Sequence, residues 1–401
     1  MMQDRPSTRL RLRRGMAICS LVPILVAFIF SGGSGHRYSR LDSLSFSQDG
    51  KRLAVVMLNA RDASVRLESS SADVARTISV FSVADGSLQR VVQQTVLYGN
   101  QGPAIDLSWN NGTSARFIGD DELYVLDFPA GDLGIFDLRM LPEAPAKKVS
   151  LPLPASALVD SPSRRIIAFC GKDQIAILDT LNESWEELEI TGHLPLHSSM
   201  HFCWKPDSRT GSYLIYDSSL KLCIWTLNGE TSHVTLSPKP PYSNCLAALS
   251  DSSVLVAVDG EIQRFSGQGE SFEALEVPQA YSRVAASHDG TLYAYGNDAQ
   301  LTIRETVGDR VRIIPHEGIS AIAFSPDAST LAVGDHRDYM TLYDISSREQ
   351  IWSVRAPGYY RLPWTYPLVA LLIWFVLFGH TIWRWMDIRI NPAPPERPSF
   401  G

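Results

Sequence analysis

The chain has 401 residues, of which 45% are hydrophobic and 20% are charged, a composition that suits a globular protein with a membrane element. Its net charge is −7, but residues 1–14 hold five arginines and one aspartate, which leaves 31 basic and 42 acidic residues in the remainder. A body this acidic repels phosphate backbones, so we exclude nucleic acid as a partner.

Five cysteines occur and none forms a CxxC pair, so the sequence predicts neither a zinc site nor a redox motif of that kind. Four of them lie in strand-like runs, at Cys170, Cys203, Cys223 and Cys245. Cysteine packs well as a small hydrophobe, which favours free buried thiols. Their disulfide state stays open, and we predict no cofactor.

The N-terminal 35 residues carry a targeting or anchoring signal. Residues 1–14 are predicted to be a basic cytoplasmic tail, because arginines accumulate on the cytoplasmic side of a membrane segment. Residues 15–35 follow, with an uncharged apolar run at Met16–Phe30. With its flanks this run approaches the roughly 20 residues of a spanning helix, but it also fits a signal peptide that is cleaved after small residues. Signal anchor and signal peptide both stay open, and both place the following residues on the extracytoplasmic side.

Residues 36–358 contain seven units of similar pattern, spaced by roughly 40 residues. Each unit has four short runs with β-branched and aromatic residues at alternate positions, separated by turns of Gly, Asp and Ser. The units begin at Leu41, Ala104, Ala155, Met200, Asn244, Ser282 and Ile319. The sequence therefore predicts an all-β fold, a seven-bladed β-propeller whose first and last blades are neighbours, with flanking hydrophobic helices at the N- and C-termini.

The last unit, HEGISAIAFSPDASTLAVGDHRDYMTLYDIS, resembles a WD-repeat β-propeller unit. His316 matches the histidine before the family's first strand, Asp338 matches the aspartate before its third strand, and Tyr343 and Asp344 stand where Trp-Asp is usual. The resemblance implies that these four residues join a hydrogen-bond network that supports the blade. Elsewhere it is weaker, and the Trp-Asp pair is absent throughout the sequence.

Few residues in the loops suggest chemistry. His193, His197 and His201 are spaced by four, which on a helix would align metal ligands, but Pro195 opposes a helix there and an ordinary loop is favoured. The run Asp335–Asp338 contains a histidine between acids, and a solvated turn is favoured over a catalytic pair. The sequence contains no GxSxG, HExxH, Walker or GxGxxG motif, so we predict no catalytic site. The polar loop Arg61–Ala75 is a candidate contact site.

Residues 359–385 are predicted to form a transmembrane helix, because their apolar core has about the right length. Aromatic residues stand at both ends of it, as they do at membrane interfaces, and the predicted anchors are Trp364, Tyr366, Trp383 and Trp385. A short proline-rich tail, residues 386–401, follows.

The sequence favours a membrane-tethered interaction scaffold that is not an enzyme, with its propeller on the extracytoplasmic side, periplasmic or at the cell surface. Its predicted partners are the lipid bilayer and another protein that binds a propeller face. Two alternatives stay open. One is a propeller hydrolase or lyase with a site in the central channel, and the other is a ligand sensor coupled to paired membrane helices.

Overall fold

A computed structural model describes much of the chain between residues 38 and 357. The described ranges are 38–60, 74–97, 115–127, 132–140, 145–153, 155, 157–163, 166–170, 174–189, 202–205, 207, 210–216, 220–226, 231–237, 245–258, 261–266, 271–275, 283–296, 299–308 and 310–357. His36–Tyr359 form one compact unit. Both predicted membrane segments, residues 15–35 and 359–385, lie outside the described residues. Within the described residues, no helix is long and apolar enough to span a bilayer.

The strands pair in chain order into seven antiparallel sheets of four strands, here called blades 1 to 7. Blade 1 is β1 (Tyr38–Phe46), β2 (Arg52–Ala60), β3 (Val74–Ser82) and β4 (Leu88–Leu97). Blade 2 is β5 (Ala115–Ile118), β6 (Glu122–Asp127), β7 (Asp132–Asp137) and β8 (Lys147–Ser150). Blade 3 is β9 (Ala157–Asp160), β10 (Ile166–Cys170), β11 (Gln174–Asp179) and β12 (Ser184–Glu189). Blade 4 is β13 (Phe202–Trp204), β14 (Thr210–Tyr216), β15 (Leu220–Thr226) and β16 (Thr231–Ser237).

Blade 5 is β17 (Cys245–Ala248), β18 (Val254–Val258), β19 (Glu261–Phe265) and β20 (Ser271–Leu275). Blade 6 is β21 (Arg283–Ala286), β22 (Leu292–Gly296), β23 (Gln300–Glu305) and β24 (Val311–Pro315). Blade 7 is β25 (Ile319–Phe324), β26 (Thr330–Asp335), β27 (Tyr339–Asp344) and β28 (Gln350–Arg355). The prediction of an all-β, seven-bladed propeller is confirmed. The predicted flanking helices fall outside the described residues.

Burial along a blade follows from radial stacking. The second strand of blade 7, β26, is buried continuously from Leu331 to Asp335, because blades cover both of its faces. Its outermost strand, β28, alternates between exposed and half-buried residues, because only one face meets a neighbour. Alternating apolar residues therefore mark the outer strands, while continuous apolar runs mark the middle ones.

Hydrophobic clusters fill the spaces between neighbouring blades. Val56 and Ile78 of blade 1 pack with Phe117 and Leu123 of blade 2, and Phe117 is fully buried. Removing a phenylalanine side chain from water contributes roughly 1.5–3 kcal/mol. Each blade therefore depends on the next for the burial of its faces, as expected for a repeat architecture.

The ring closes through side-chain packing between blades 7 and 1. In blade 6, Gly296 ends the second strand and leaves room for Ile319, the first residue of blade 7. Gly334 of blade 7 repeats this arrangement, since a Cβ on it would lie 2.8 Å from the Cβ of Leu41 in blade 1. Blade 1 thus follows blade 7 as blade 7 follows blade 6.

A hydrogen bond reinforces this closing interface, which we call the seam. The indole N–H of Trp352 in blade 7 donates to the main-chain oxygen of Val83 in blade 1 at 2.7 Å. Every blade is built from four consecutive strands, so no strand is shared across the seam among the described residues. The cohesion of the ring at this point therefore rests on packing and on this bond.

Two details refine the sequence interpretation. The first described strand of blade 2 is Ala115–Ile118, and the run that begins at Ala104 lies outside the described residues. Ala115 and Phe117 are buried in the cluster between blades 1 and 2, and a turn at Gly119–Asp121 leads directly to β6. Cys203 and Cys223 are buried and free, in agreement with the expected thiols, while the side chains of the other two lie outside the described set.

Candidate binding site

The turns between the first and second strands and between the third and fourth strands lie on one side of the ring, because strand directions alternate within each blade. We call this side the turn face. In three blades its first turn has the same hydrogen bonds. The hydroxyl of Ser47, Ser287 or Ser325 donates to the aspartate two residues later, at 2.7, 2.6 and 2.6 Å. Each of these aspartates also accepts a main-chain N–H two residues further on.

This turn holds its carboxylates in the ionised form. The hydrogen bond from Ser325 is the main cause that lowers the pKa of Asp327 below its usual value, and the N–H of Ser329 adds to the effect. Burial raises the pKa of Asp49, but hydrogen bonds from Ser47 and Lys51 outweigh burial and lower it. Local hydrogen bonds that require an ionised aspartate therefore stabilise these turns.

Bonds join neighbouring turns of the turn face at two junctions, between blades 1 and 2 and between blades 5 and 6. The N–H of Gln48 in blade 1 donates to the oxygen of Gly119 in blade 2 at 3.0 Å, and Arg52 forms an ion pair with Asp121 at 2.5 Å. The N–H of Ser250 in blade 5 donates to the oxygen of Gly290 in blade 6 at 2.9 Å. Side chains displayed here are therefore held on rigid elements, which suits specific binding.

The turn face also carries the most exposed large hydrophobic side chains among the described residues. Val307 is 79% exposed, Leu181 71% and Met140 59%. All three lie in or beside turns between the third and fourth strands, of blades 6, 3 and 2 respectively. Single exposed apolar side chains are ordinary on protein surfaces, and these three are set apart by their shared place on the turn face.

A cleft of about 540 Å³ opens on the turn face between blades 6 and 7. Its volume is in the range of sites that hold ligands, roughly 300–1,000 Å³. Turns from blades 5, 6 and 7 line it, with the residues Ser250, Thr291, Leu292, Glu305, Thr306, Val307, Arg312, Ala328, Ser329, Asp344, Ile345 and Ser346.

The residues assigned to the blade network are brought together only in part. His316 Nδ1 and the hydroxyl of Tyr343 are joined by a 2.8 Å hydrogen bond. Asp338 instead forms an ion pair with Arg355 at 3.3 Å. Asp344 accepts the hydroxyl of Ser346 at 2.6 Å and so shapes the last turn of the blade.

Asp335 also belongs to this cluster, although the sequence predicted a solvated turn at this position. It is buried, and its carboxylate accepts the N–H groups of Arg337 and Tyr339, both at 2.8 Å. Burial lowers the pKa of His316, and the charge of Asp335 acts in the opposite direction. The signal that would have located Asp335 is its place at the end of a continuous apolar strand, where a carboxylate caps the turn.

The remaining predicted residues do not enter a described site. His193, His197 and His201 lie outside the described residues, as do the loop 61–73 and the anchors Trp364, Tyr366, Trp383 and Trp385. In the described part of the chain, no group of three or more His, Cys, Asp or Glu side chains is placed to hold a metal ion.

The innermost strands of blades 2 and 3 carry an ion pair. Arg116 of blade 2 pairs with Asp160 of blade 3 at 3.3 Å and donates to the oxygen of Leu44 in blade 1 at 2.8 Å. Both charged side chains are largely buried. This arrangement connects three blades, which gives it a structural role.

Comparisons with known proteins agree with this architecture. Residues 308–344 match the family model described as WD domain, G-beta repeat. The matched stretch runs from the last turn of blade 6 to the end of the third strand of blade 7. Blade 7 is similar to a WD repeat. No curated protein sequence matches the chain.

Among solved structures, the chain is similar to KlAtg21, whose structure was determined in a complex with the coiled coil of AgAtg16. The TM-score is 0.55 at 15% identity, over 79% of this chain and 100% of that one. Hsv2 of Kluyveromyces marxianus gives a TM-score of 0.49 at 11% identity, over 80% of this chain and 100% of that one. At 15% identity the similarity to KlAtg21 establishes the fold alone.

Proposed function

We propose that this protein is a membrane-tethered β-propeller that serves as a protein-interaction scaffold on the extracytoplasmic side. The observation that carries the proposal is the display of Met140, Leu181 and Val307 on one face of a rigid ring, in turns of three different blades. Leaving such side chains in water gains nothing for folding, whereas a partner that covers them gains the energy of their burial.

The similarity to KlAtg21 supports the protein-binding part of the proposal. That propeller was solved together with a coiled coil of another protein, so a ring of this form can hold a protein partner. Fold alone does not determine function, and the partner of this chain follows from its own surface.

The tethering part rests on the sequence. Five arginines precede the apolar run Met16–Phe30, and the apolar segment in residues 359–385 has aromatic residues at both ends. Such segments anchor to membranes, and arginines before the first of them favour a cytoplasmic N-terminus. The propeller between the segments is then extracytoplasmic.

Labelling of a surface cysteine tests the sidedness. Met140→Cys places a thiol on the turn face, and we expect a membrane-impermeant maleimide to label it in spheroplasts with an intact inner membrane. Met57→Cys is the matched control, because Met57 is buried and the new thiol stays unlabelled until the protein is denatured. Labelling of Met140→Cys only after lysis would show that the propeller is cytoplasmic.

A turn-face variant tests the scaffold. The triple variant Met140→Asp, Leu181→Asp and Val307→Asp puts charges where a partner would bury apolar groups. Ile313→Asp is the control, since Ile313 is 56% exposed but lies on the outer strand β24. In affinity purification from cross-linked membranes, we expect a protein that accompanies the wild type and Ile313→Asp and is lost from the triple variant. Equal recovery with the triple variant would refute the scaffold role of this face.

A further inference from the structure

The cleft between blades 6 and 7 has walls of two kinds. Leu292 is half-buried and Ile345 is buried, and together with the exposed Val307 they supply apolar surface. Carboxylates of Glu305 and Asp344 supply negative charge beside it. A ligand that fits both walls needs an apolar stem and a polar end.

The charges in the cleft select the sign of that end. The hydrogen bond from Ser346 is the main cause that lowers the pKa of Asp344, so this carboxylate is ionised at neutral pH. Glu305 has only a loose ion pair with Arg310, at 3.7 Å, and the Arg310 side chain is 78% exposed. Such a pair in water is worth about 0–1 kcal/mol, so a ligand cation can replace it.

Arg312, the one cationic side chain among the residues that line the cleft, is already engaged. Its guanidinium donates to the main-chain oxygen of Ile345 and so links the outer strand of blade 6 to the last turn of blade 7. The hydroxyl of Thr306 is likewise engaged, since it donates to the oxygen of Gly290 at 2.5 Å. Arg312 keeps its positive charge in this hydrogen bond, so the charged residues that line the cleft carry two negative charges, on Glu305 and Asp344, and one positive charge, an excess that favours a cation.

From these features we propose that the cleft binds a lysine or arginine side chain of the partner protein, with Glu305 and Asp344 holding the cation and with Leu292, Val307 and Ile345 contacting its methylene stem. Lysine and arginine combine such a stem with a charged end, and arginine can bind a carboxylate with two parallel hydrogen bonds. This inference rests on the proposed function, because it names the chemistry that the scaffold recognises in its partner.

Binding of a labelled peptide to the full-length protein in detergent tests the inference. The probe is a fluorescein-labelled octapeptide with two arginines and one leucine among glycines and serines, followed by fluorescence anisotropy. A second peptide replaces both arginines with citrulline, which keeps the shape and removes the charge. We expect the arginine peptide to bind at least tenfold more tightly than the citrulline peptide, and to weaken as salt is raised.

Substitutions assign the binding to the cleft. Glu305→Gln is expected to weaken binding of the arginine peptide about tenfold, and the double variant Glu305→Gln with Asp344→Asn is expected to weaken it about a hundredfold. Glu317→Gln is the matched control, because Glu317 carries the same charge and is 70% exposed in the segment before blade 7, where it pairs with Arg337. Glu305→Arg should reverse the preference and favour a peptide with glutamates in place of the arginines. Equal thermal midpoints show that each variant is folded.

Two outcomes overturn the inference: equal binding of the arginine and citrulline peptides, or an affinity that Glu305→Gln leaves unchanged. The scaffold proposal fails by a different result, the recovery of the same proteins with the triple turn-face variant. A partner that is lost from that variant but kept by Glu305→Gln with Asp344→Asn would leave the scaffold standing and remove the cleft from its interface.

Discussion

Gly334→Ala is the sharpest test of how the ring closes. An added Cβ would lie 2.8 Å from the Cβ of Leu41 and 2.9 Å from its Cδ1, closer than carbon atoms approach in proteins. Leu41 is fully buried in the cluster that joins blades 1 and 7, so its side chain has little room to move away. Overpacking of this kind costs about 1–3 kcal/mol, and we expect a loss of about 2 kcal/mol in the free energy of unfolding.

Urea unfolding followed by tryptophan fluorescence measures this loss. With an m value of about 3 kcal/mol/M, a 2 kcal/mol loss lowers the midpoint by about 0.7 M at unchanged m. Gly134→Ala in β7 is the matched control. Gly134 is also buried in a strand, but its added Cβ would meet its first neighbours at 3.2 and 3.4 Å. If Gly334→Ala is no less stable than Gly134→Ala, blade 1 does not pack on blade 7 as described.

Three further predictions concern single contacts. Trp352→Phe removes the hydrogen bond to Val83 across the seam and should cost about 1 kcal/mol in urea unfolding. Ala328 has φ +55°, a strained value for a residue with a side chain, and the equivalent turns have Gly50 and Gly290 there. Ala328→Gly should therefore stabilise the protein by about 0.5 kcal/mol. A lower urea midpoint for this variant would show that the strain at Ala328 is absent. Burial lowers the pKa of His316, so the stability it contributes is present above pH 6.5 and is lost as the pH falls. Unfolding at pH 7.5 and 5.5 should therefore differ less in His316→Gln than in the wild type.

The repeat pattern was sufficient to predict the fold, because blade stacking imposes the same buried strands about every 40 residues. At the start of blade 2 the pattern begins the unit with the short run at Ala104, which lies outside the described residues, and the first described strand is the short run Ala115–Ile118. Period and composition do not separate two such runs. In the structure, Phe117 of the second run fills the space between blades 1 and 2.

The sequence alone did not identify the candidate site, for a geometric reason. The residues that line the cleft extend from Ser250 to Ser346 and belong to three blades, so their proximity arises only when the blades stack. The exposure of Leu181 and Val307 likewise depends on their place in turns that no neighbouring blade covers. In blade 7, the contact between His316 and Tyr343 could be predicted from the sequence, because the WD-like pattern marks both positions.

Site-specific photo-cross-linking in cells tests whether a protein partner binds the turn face. A benzophenone side chain is placed in turn at Leu181, at Val307 and at Tyr339, which is 41% exposed and begins β27 on the opposite side of the ring. We expect a discrete adduct with another protein from Leu181 and Val307, and none from Tyr339. An adduct from Tyr339 alone, or no adduct from either turn-face position, would contradict this expectation.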